Sequence, residues 1–286
     1  MKHAFHLHLV GFLSAITFSL VGTQFLVAQE IGAQLYSFRN QIPKDVAGTL
    51  KKIRTMGIRE IEGGGTYEMS MSDYRAVLDQ LGFDMVSIGA DFEKLQNDLP
   101  AVISEAKALG ARYVVCFWIP HAEGDFAMTE VDNAAEVFNR AGKILKESNL
   151  QLCYHPHGYE FRPYQQETLF DQLVKKMDPR YANFEMDVFW IRHPGQDPVA
   201  LIKKYPGRFP LMHLKDRAHG TIGNQDGRAD VETNVVLGKG DVGIEAIMEE
   251  ALRSGVKHFF IEDESSRSMQ QVPQSLAFLK SLQQKK

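Results

Sequence analysis

Cysteine is scarce in this chain of 286 residues, with Cys116 and Cys153 its only two. Two thiols cannot make the disulfide framework of a small secreted scaffold. Both lie in apolar, strand-like runs, where buried free thiols are expected, although an oxidising compartment would permit a bridge. An excess of basic charge is also missing: 32 Lys and Arg face 36 Asp and Glu, a formal net charge of −4. With no basic cluster either, the phosphate attraction that drives nucleic-acid binding has no source, so no nucleic-acid partner is expected. The first strand-like run is not followed by G-x-G-x-x-G, so the dinucleotide fingerprint is absent. The glycine run Gly63–Gly65 has no helix-starting lysine after it and is weak evidence for phosphate binding.

The first 29 residues nearly lack charge, Lys2 being their one formal charge, and Leu9–Val27 is almost all apolar or small. Gly, Ser, Thr and Gln interrupt that run, and polar, strand-forming sequence starts directly after Gln29. A secretory signal peptide cleaved near Ala28 or Gln29 fits better than a membrane anchor, although Leu26 departs from the small-residue cleavage pattern. The expected organisation is a signal over 1–29 and one domain over 30–286. The mature protein is then secreted or periplasmic, with no stable membrane insertion.

From Glu30 onward, strand-like and helix-like segments alternate. Strands are expected at Ile31–Tyr36, Ile58–Ile61, Met85–Ile88, Tyr113–Trp118, Leu150–Cys153, Asn183–Val188, Phe209–Leu214 and Lys257–Glu262. The helices after them are expected at Lys44–Thr55, Ser72–Leu81, Leu95–Leu109, Val131–Glu147, Glu167–Lys176, Pro198–Lys204, Ile244–Ser254 and Val272–Gln283. Each parallel crossover needs a helix to cover the sheet, so the pattern argues for a parallel sheet. Eight strand–helix pairs of this length match an α/β fold, a single (β/α)8 TIM-type barrel, rather than an open doubly wound sheet.

In such a barrel the site lies where the strands end. The fifth strand runs into Tyr154-His155-Pro156-His157-Gly158-Tyr159-Glu160-Phe161. The sixth ends Glu185-Met186-Asp187-Val188-Phe189-Trp190, the seventh His213-Leu214-Lys215-Asp216, and the eighth Glu262-Asp263-Glu264. The first four end mainly in Tyr36, Gly63, Gly89 and Trp118. Side chains alternate across a strand, which groups Glu185 with Asp187, His213 with Lys215, and Phe260 with Glu262, with apolar residues between them. Asp187, His213 and Glu262 therefore point inward at one mouth. Mixed oxygen and imidazole donors suit one divalent ion such as Mn, Co, Zn or Fe, with Mg also possible.

The elements Y-H-P-H-x-x-E-F, E-M-D-V-F-W, H-L-K-D, L-G-K-G-D-V and F-I-E-D-E resemble the xylose-isomerase-like barrel superfamily. That superfamily comprises the sugar phosphate isomerases and epimerases, together with inosose dehydratase, dehydroshikimate dehydratase and endonuclease IV relatives. The resemblance covers essentially Glu30–Leu282. It implies one metal held by residues ending strands five to eight, which gives Asp187, His213 and Glu262 directly. At strand five many sugar epimerases of the group carry Glu, whereas this chain has His155. Either His155 ligates, or Glu160 reaches back from the loop. The resemblance also implies proton abstraction beside a carbonyl, with the metal stabilising the enediolate. His157 and Glu264 are base or acid candidates, and Lys215 could stabilise an oxyanion or protonate a leaving group. Tyr36, Trp118 and Trp190 could wall a sugar ring. The long loop from Lys215 to Asp241 could cover substrate, with Gly238 and Gly240 turning the backbone and Asp241 capping the next helix.

The expected substrate is an unphosphorylated sugar, keto-sugar or glycoside, since export makes a phosphorylated one implausible. Isomerisation or epimerisation is the first reading. β-Elimination from a 3-keto-glycoside, or a non-catalytic sugar-binding barrel, is the alternative. The sequence leaves a homo-oligomer open.

Overall fold

The computed structural model describes Met1 and residues 29–63 and 65–284. Apart from its two end residues, the expected signal segment lies outside the described residues. Eight parallel strands close into a barrel in chain order: β1 Ile31–Gln34, β2 Glu60–Gly63, β3 Asp84–Gly89, β4 Tyr113–Cys116, β5 Gln151–Tyr154, β6 Ala182–Asp187, β7 Leu211–Leu214 and β8 His258–Ile261, the last returning to pair with β1. The expected (β/α)8 architecture is present.

Local chemistry sets the helix limits. Ser70 accepts the Asp73 N–H to start Met71–Leu81, and Gly82 ends that helix in the left-handed conformation at φ 68°. The single helix expected over Leu95–Leu109 is two helices, Phe92–Asn97 and Leu99–Leu109. Pro100 cannot donate to the preceding turn, so the chain breaks at Asp98, whose side chain accepts the Ala101 N–H. The sixth strand stops at Asp187 rather than Val188, because Val188–Arg192 turns into a short helix.

Outward-facing strand residues and the helices share the main core. A separate cluster of Val86, Val115, Cys153, Leu211 and Phe260 fills the barrel interior. Above it lies a polar row. Gln34 pairs in register with Glu62, and Glu62 with Ser87, because β3 carries one extra residue at Val86 (Ile61 opposite Met85, Glu62 opposite Ser87). Both cysteines are buried and free.

The loop after β7 is tied down by Asp216, whose carboxylate accepts N–H bonds from Gly238 (2.9 Å), Gly240 (3.1 Å) and Val242 (3.2 Å). A Cβ on Gly240 would lie 2.1 Å from the Arg217 carbonyl oxygen, so the close approach requires glycine. Asp241 does not cap the following helix as expected. It pairs with Arg217 Nε at 2.8 Å, and Ile244–Ser254 starts after Gly243 without a side-chain cap.

Candidate metal centre

The end of β6 makes the first half of the site. Asp187 Oδ1 accepts the Phe189 (2.8 Å) and Trp190 (3.2 Å) N–H groups that open the short helix. That contact fixes the carboxylate and turns Oδ2 toward the barrel axis, where it is buried without a hydrogen-bond partner. His213, on the neighbouring β7 and in register with Asp187, has its Nδ1 buried and likewise without a hydrogen bond. Glu262, one residue past β8, brings Oε2 to 3.3 Å from that Nδ1. The ligand atoms of Asp187, His213 and Glu262 lie within 4.8 Å of one another, as do those of a second group, His155, Glu185 and His213.

His155 follows β5 and joins this cluster, with Nε2 3.7 Å from Asp187 Oδ2 and Nδ1 3.1 Å from Glu185 Oε2. Glu160 is brought elsewhere. Its buried carboxylate accepts the N–H groups of His157 (3.1 Å) and Gly158 (2.9 Å) and the Tyr154 hydroxyl, which anchors the loop from below. Its oxygens accept hydrogen bonds within their own segment, so the idea that it reaches back to an ion meets no supporting geometry. Burial pushes this carboxyl up to about 7, against the pull of those hydrogen bonds.

Carboxyl groups crowd the site. Glu62, Glu185, Asp187 and Glu262 are buried side by side, with Lys215 the buried lysine among them. Lys215 Nζ sits 3.3 Å from Glu262 Oε2 and 4.0 Å from Asp187 Oδ2, and it bonds Glu264. Burial would lower its pKa, but Glu262, Glu264 and Asp187 outweigh burial and raise it, so it stays an ammonium. Asp216, the next residue, bonds the loop instead of Lys215. Burial would raise Glu262, yet Lys215 and His213 outweigh it and hold the carboxyl well below the usual range. Burial holds Asp187 up at about 7. Burial would hold His213 neutral, but the Glu185 and Glu62 carboxylates raise it well above the imidazole range. Two buried, unpartnered ligand atoms, one carboxylate oxygen and one imidazole nitrogen, beside the Glu262 carboxylate fit a divalent cation. The two imidazoles and two carboxylates of His155, His213, Asp187 and Glu262 suit a first-row ion better than Mg.

His157 lies outside this cluster of donors. Its Nδ1 is 3.3 Å from the His155 carbonyl oxygen, which assigns the proton to Nδ1 and leaves Nε2 a lone pair. Burial, and then the charge of Lys215, push it down to about 4, so the ring is neutral at neutral pH. Its ring packs against Trp118 (5.5 Å between centroids) and Trp190 (5.3 Å). Trp190 also covers Lys215 Nζ at 5.6 Å, and Phe189 covers it at 5.2 Å. A cavity of about 940 Å³ opens over these groups, and Tyr36, Trp118, Glu262 and Glu264 line it. Tyr36, 53 % exposed, lies at the rim beneath Arg39.

Sequence reasoning passed over Glu62, Gln34 and Ser87, and gave Glu185 no role. The signal for Glu62 was the alternation Glu60-Ile61-Glu62, obscured because the strand was expected to stop at Ile61.

A family model, the xylose isomerase-like TIM barrel, matches residues 50–282. The chain belongs to that family. Among curated relatives it is 26 % identical over 194 residues to an inosose dehydratase of Geobacillus kaustophilus, covering 60 % of this chain and 62 % of that protein. It is 29 % identical over 138 residues to an inosose dehydratase of Mesomycoplasma hyopneumoniae, covering 44 % and 45 %. These alignments thus span between under half and about three fifths of the relatives' length. Among solved structures, a sugar phosphate isomerase/epimerase from Parabacteroides distasonis superposes with a TM-score of 0.72 at 24 % identity, over 91 % of this chain and 96 % of that one. The IOLI protein with a bound zinc atom gives 0.68 at 14 % identity, over 89 % and 96 %. At these identities the structural matches speak for the fold alone.

Proposed function

We propose that this protein is a divalent-metal-dependent enzyme that removes a proton beside the carbonyl of an unphosphorylated sugar, keto-glycoside or cyclic polyol ketone. The observation that carries the proposal is the pair of buried, unpartnered atoms, Asp187 Oδ2 and His213 Nδ1, beside Glu262 at the barrel mouth. Asp187, His213, Glu262 and His155 would hold the ion. When bound, it supplies Lewis-acid stabilisation of negative charge on a substrate oxygen.

The chain's own groups do the rest. His157 is neutral and has Nε2 free, so it is the base for the carbon-bound proton. Lys215 keeps its charge and donates hydrogen bonds to a substrate oxygen that becomes negative. Trp118 and Trp190 flank His157, exclude water and present flat apolar faces to a ring.

Isomerisation and β-elimination both begin with that proton transfer. We favour elimination because the curated relatives named above are dehydratases and the site pairs one neutral base with one ammonium. Export belongs to the same proposal and supports an unphosphorylated substrate. A periplasmic form whose N-terminus lies near residue 30 would bear it out, and an unprocessed cytosolic chain would overturn it.

The decisive experiment is to purify the protein, measure bound metal, and incubate it with 3-keto-glycosides, inososes and free ketoses before and after chelation. Metal-dependent loss of water or aglycone selects the lyase. Reversible sugar interconversion selects the isomerase. Sugar binding with no turnover of any of the three leaves the non-catalytic barrel and defeats the proposal.

A further inference from the structure

The two candidate clusters share His213 and compete for it. In one, Glu185 Oε2 already occupies the ring nitrogens, 3.1 Å from His155 Nδ1 and 3.3 Å from His213 Nε2, and Glu185 Oε1 is the buried atom left without a partner. In the other, Asp187 Oδ2 and His213 Nδ1 have no hydrogen bond. The difference comes from Glu62 on β2. Its Oε1 sits 2.6 Å from His213 Nε2, closer than any carboxylate approaches Nδ1. Glu62 is wholly buried and held from both flanks, by Gln34 Nε2 at 2.6 Å on β1 and by the Ser87 hydroxyl on β3. The extra residue in β3 is what sets Ser87 level with it.

Resting on the divalent-ion reading above, we propose that Glu62 is a positioning residue for the metal centre. It accepts the Nε2–H of His213, so the proton that an incoming ion displaces is the one on Nδ1, beside Asp187 and Glu262, and the ion goes to that cluster and not to His155–Glu185–His213. A carboxylate on the far nitrogen fixes the tautomer and ring angle of a ligating imidazole and raises its basicity. Glu185 serves His155 in the same way: it takes Nδ1 and leaves Nε2 facing Asp187 Oδ2 at 3.7 Å. Glu62 itself touches neither ion nor substrate. Gln34 and Ser87 matter because they leave its carboxylate no other pose.

The test is to strip the purified protein, reload it with Co²⁺, and measure affinity by calorimetry and the visible absorption of the bound ion. Wild type, Glu62→Gln, Glu185→Gln and Asp187→Asn are compared. A positioning role predicts an affinity loss of about 10-fold or more for Glu62→Gln with a changed cobalt spectrum. Asp187→Asn should lose far more. If Glu62→Gln does not fold, ¹⁵N-imidazole resonances of the zinc-loaded wild type read the same point, with His213 protonated at Nε2 and coordinated at Nδ1. Wild-type affinity and spectrum in Glu62→Gln, whatever its thermal stability, would overturn the inference alone. So would coordination of His213 through Nε2, or abolished binding in Glu185→Gln with Asp187→Asn intact. A wild type that takes up no ion would overturn both this inference and the metal-centre reading.

Discussion

Glu160→Gln keeps the shape of a buried side chain and removes its titration. The wild-type carboxylate, sealed beneath the His155–Gly158 loop, is held up at about 7 against a reference of 4.5. Between those two values the folded protein keeps a proton that the unfolded chain releases, so stability falls as pH rises through this window. The gap of about 2.5 units at about 1.36 kcal/mol each is ~3 kcal/mol. Protonated Glu and Gln are alike in polarity, so the two proteins should be closest in stability near pH 5. Relative to wild type, the variant should gain about 3 kcal/mol by pH 8, while the other titrations cancel in the difference. Urea unfolding of both proteins at intervals across that range reads the difference directly. Because the Glu160 oxygens accept hydrogen bonds within their own segment, the variant should also bind metal like the wild type. A stability difference that stays flat with pH, together with loss of the ion, would show that Glu160 is a ligand after all.

Glu262→Ala should lose both the ion and turnover, the latter by on the order of 100-fold or more, measured by metal content and steady-state assay on a confirmed substrate. His157→Asn should keep the ion and lower kcat by about 10²–10⁴-fold, as expected for a missing general base. Gly240→Ala should lower unfolding free energy by about 1–3 kcal/mol, because its Cβ would meet the Arg217 carbonyl and the Asp216 carboxylate; chemical denaturation checks it. Neither thiol should react with a thiol reagent in the folded state, since both are buried and burial pushes Cys116 up to about 12, whereas both should react in denaturant.

The barrel was legible because strand and helix alternate with regular stops, and each crossover between parallel strands needs a covering helix. Asp187, His213 and Glu262 were legible as an inward set because alternation along a strand is a local rule, and each closes its own strand. For Glu160, its charge and its nearness to His155 in sequence are visible, while its hydrogen-bond partners are not. The tight loop around Gly158, at φ 100°, folds the carboxylate back under its own backbone.

Glu62 shows the opposite limit. It lies 151 residues from His213, and only barrel closure sets them 2.6 Å apart. The sequence by itself determined the repeating units, the face each strand turns inward and the types of donor that gather at the mouth, because these depend on residues near in the chain. The tertiary structure alone decided which nitrogen of His213 lacks a hydrogen bond, which carboxylates lie against the imidazoles, and that His155 instead of Glu160 joins the cluster. Those outcomes depend on strand register and on one extra residue in β3, which set distances between groups that no local pattern relates.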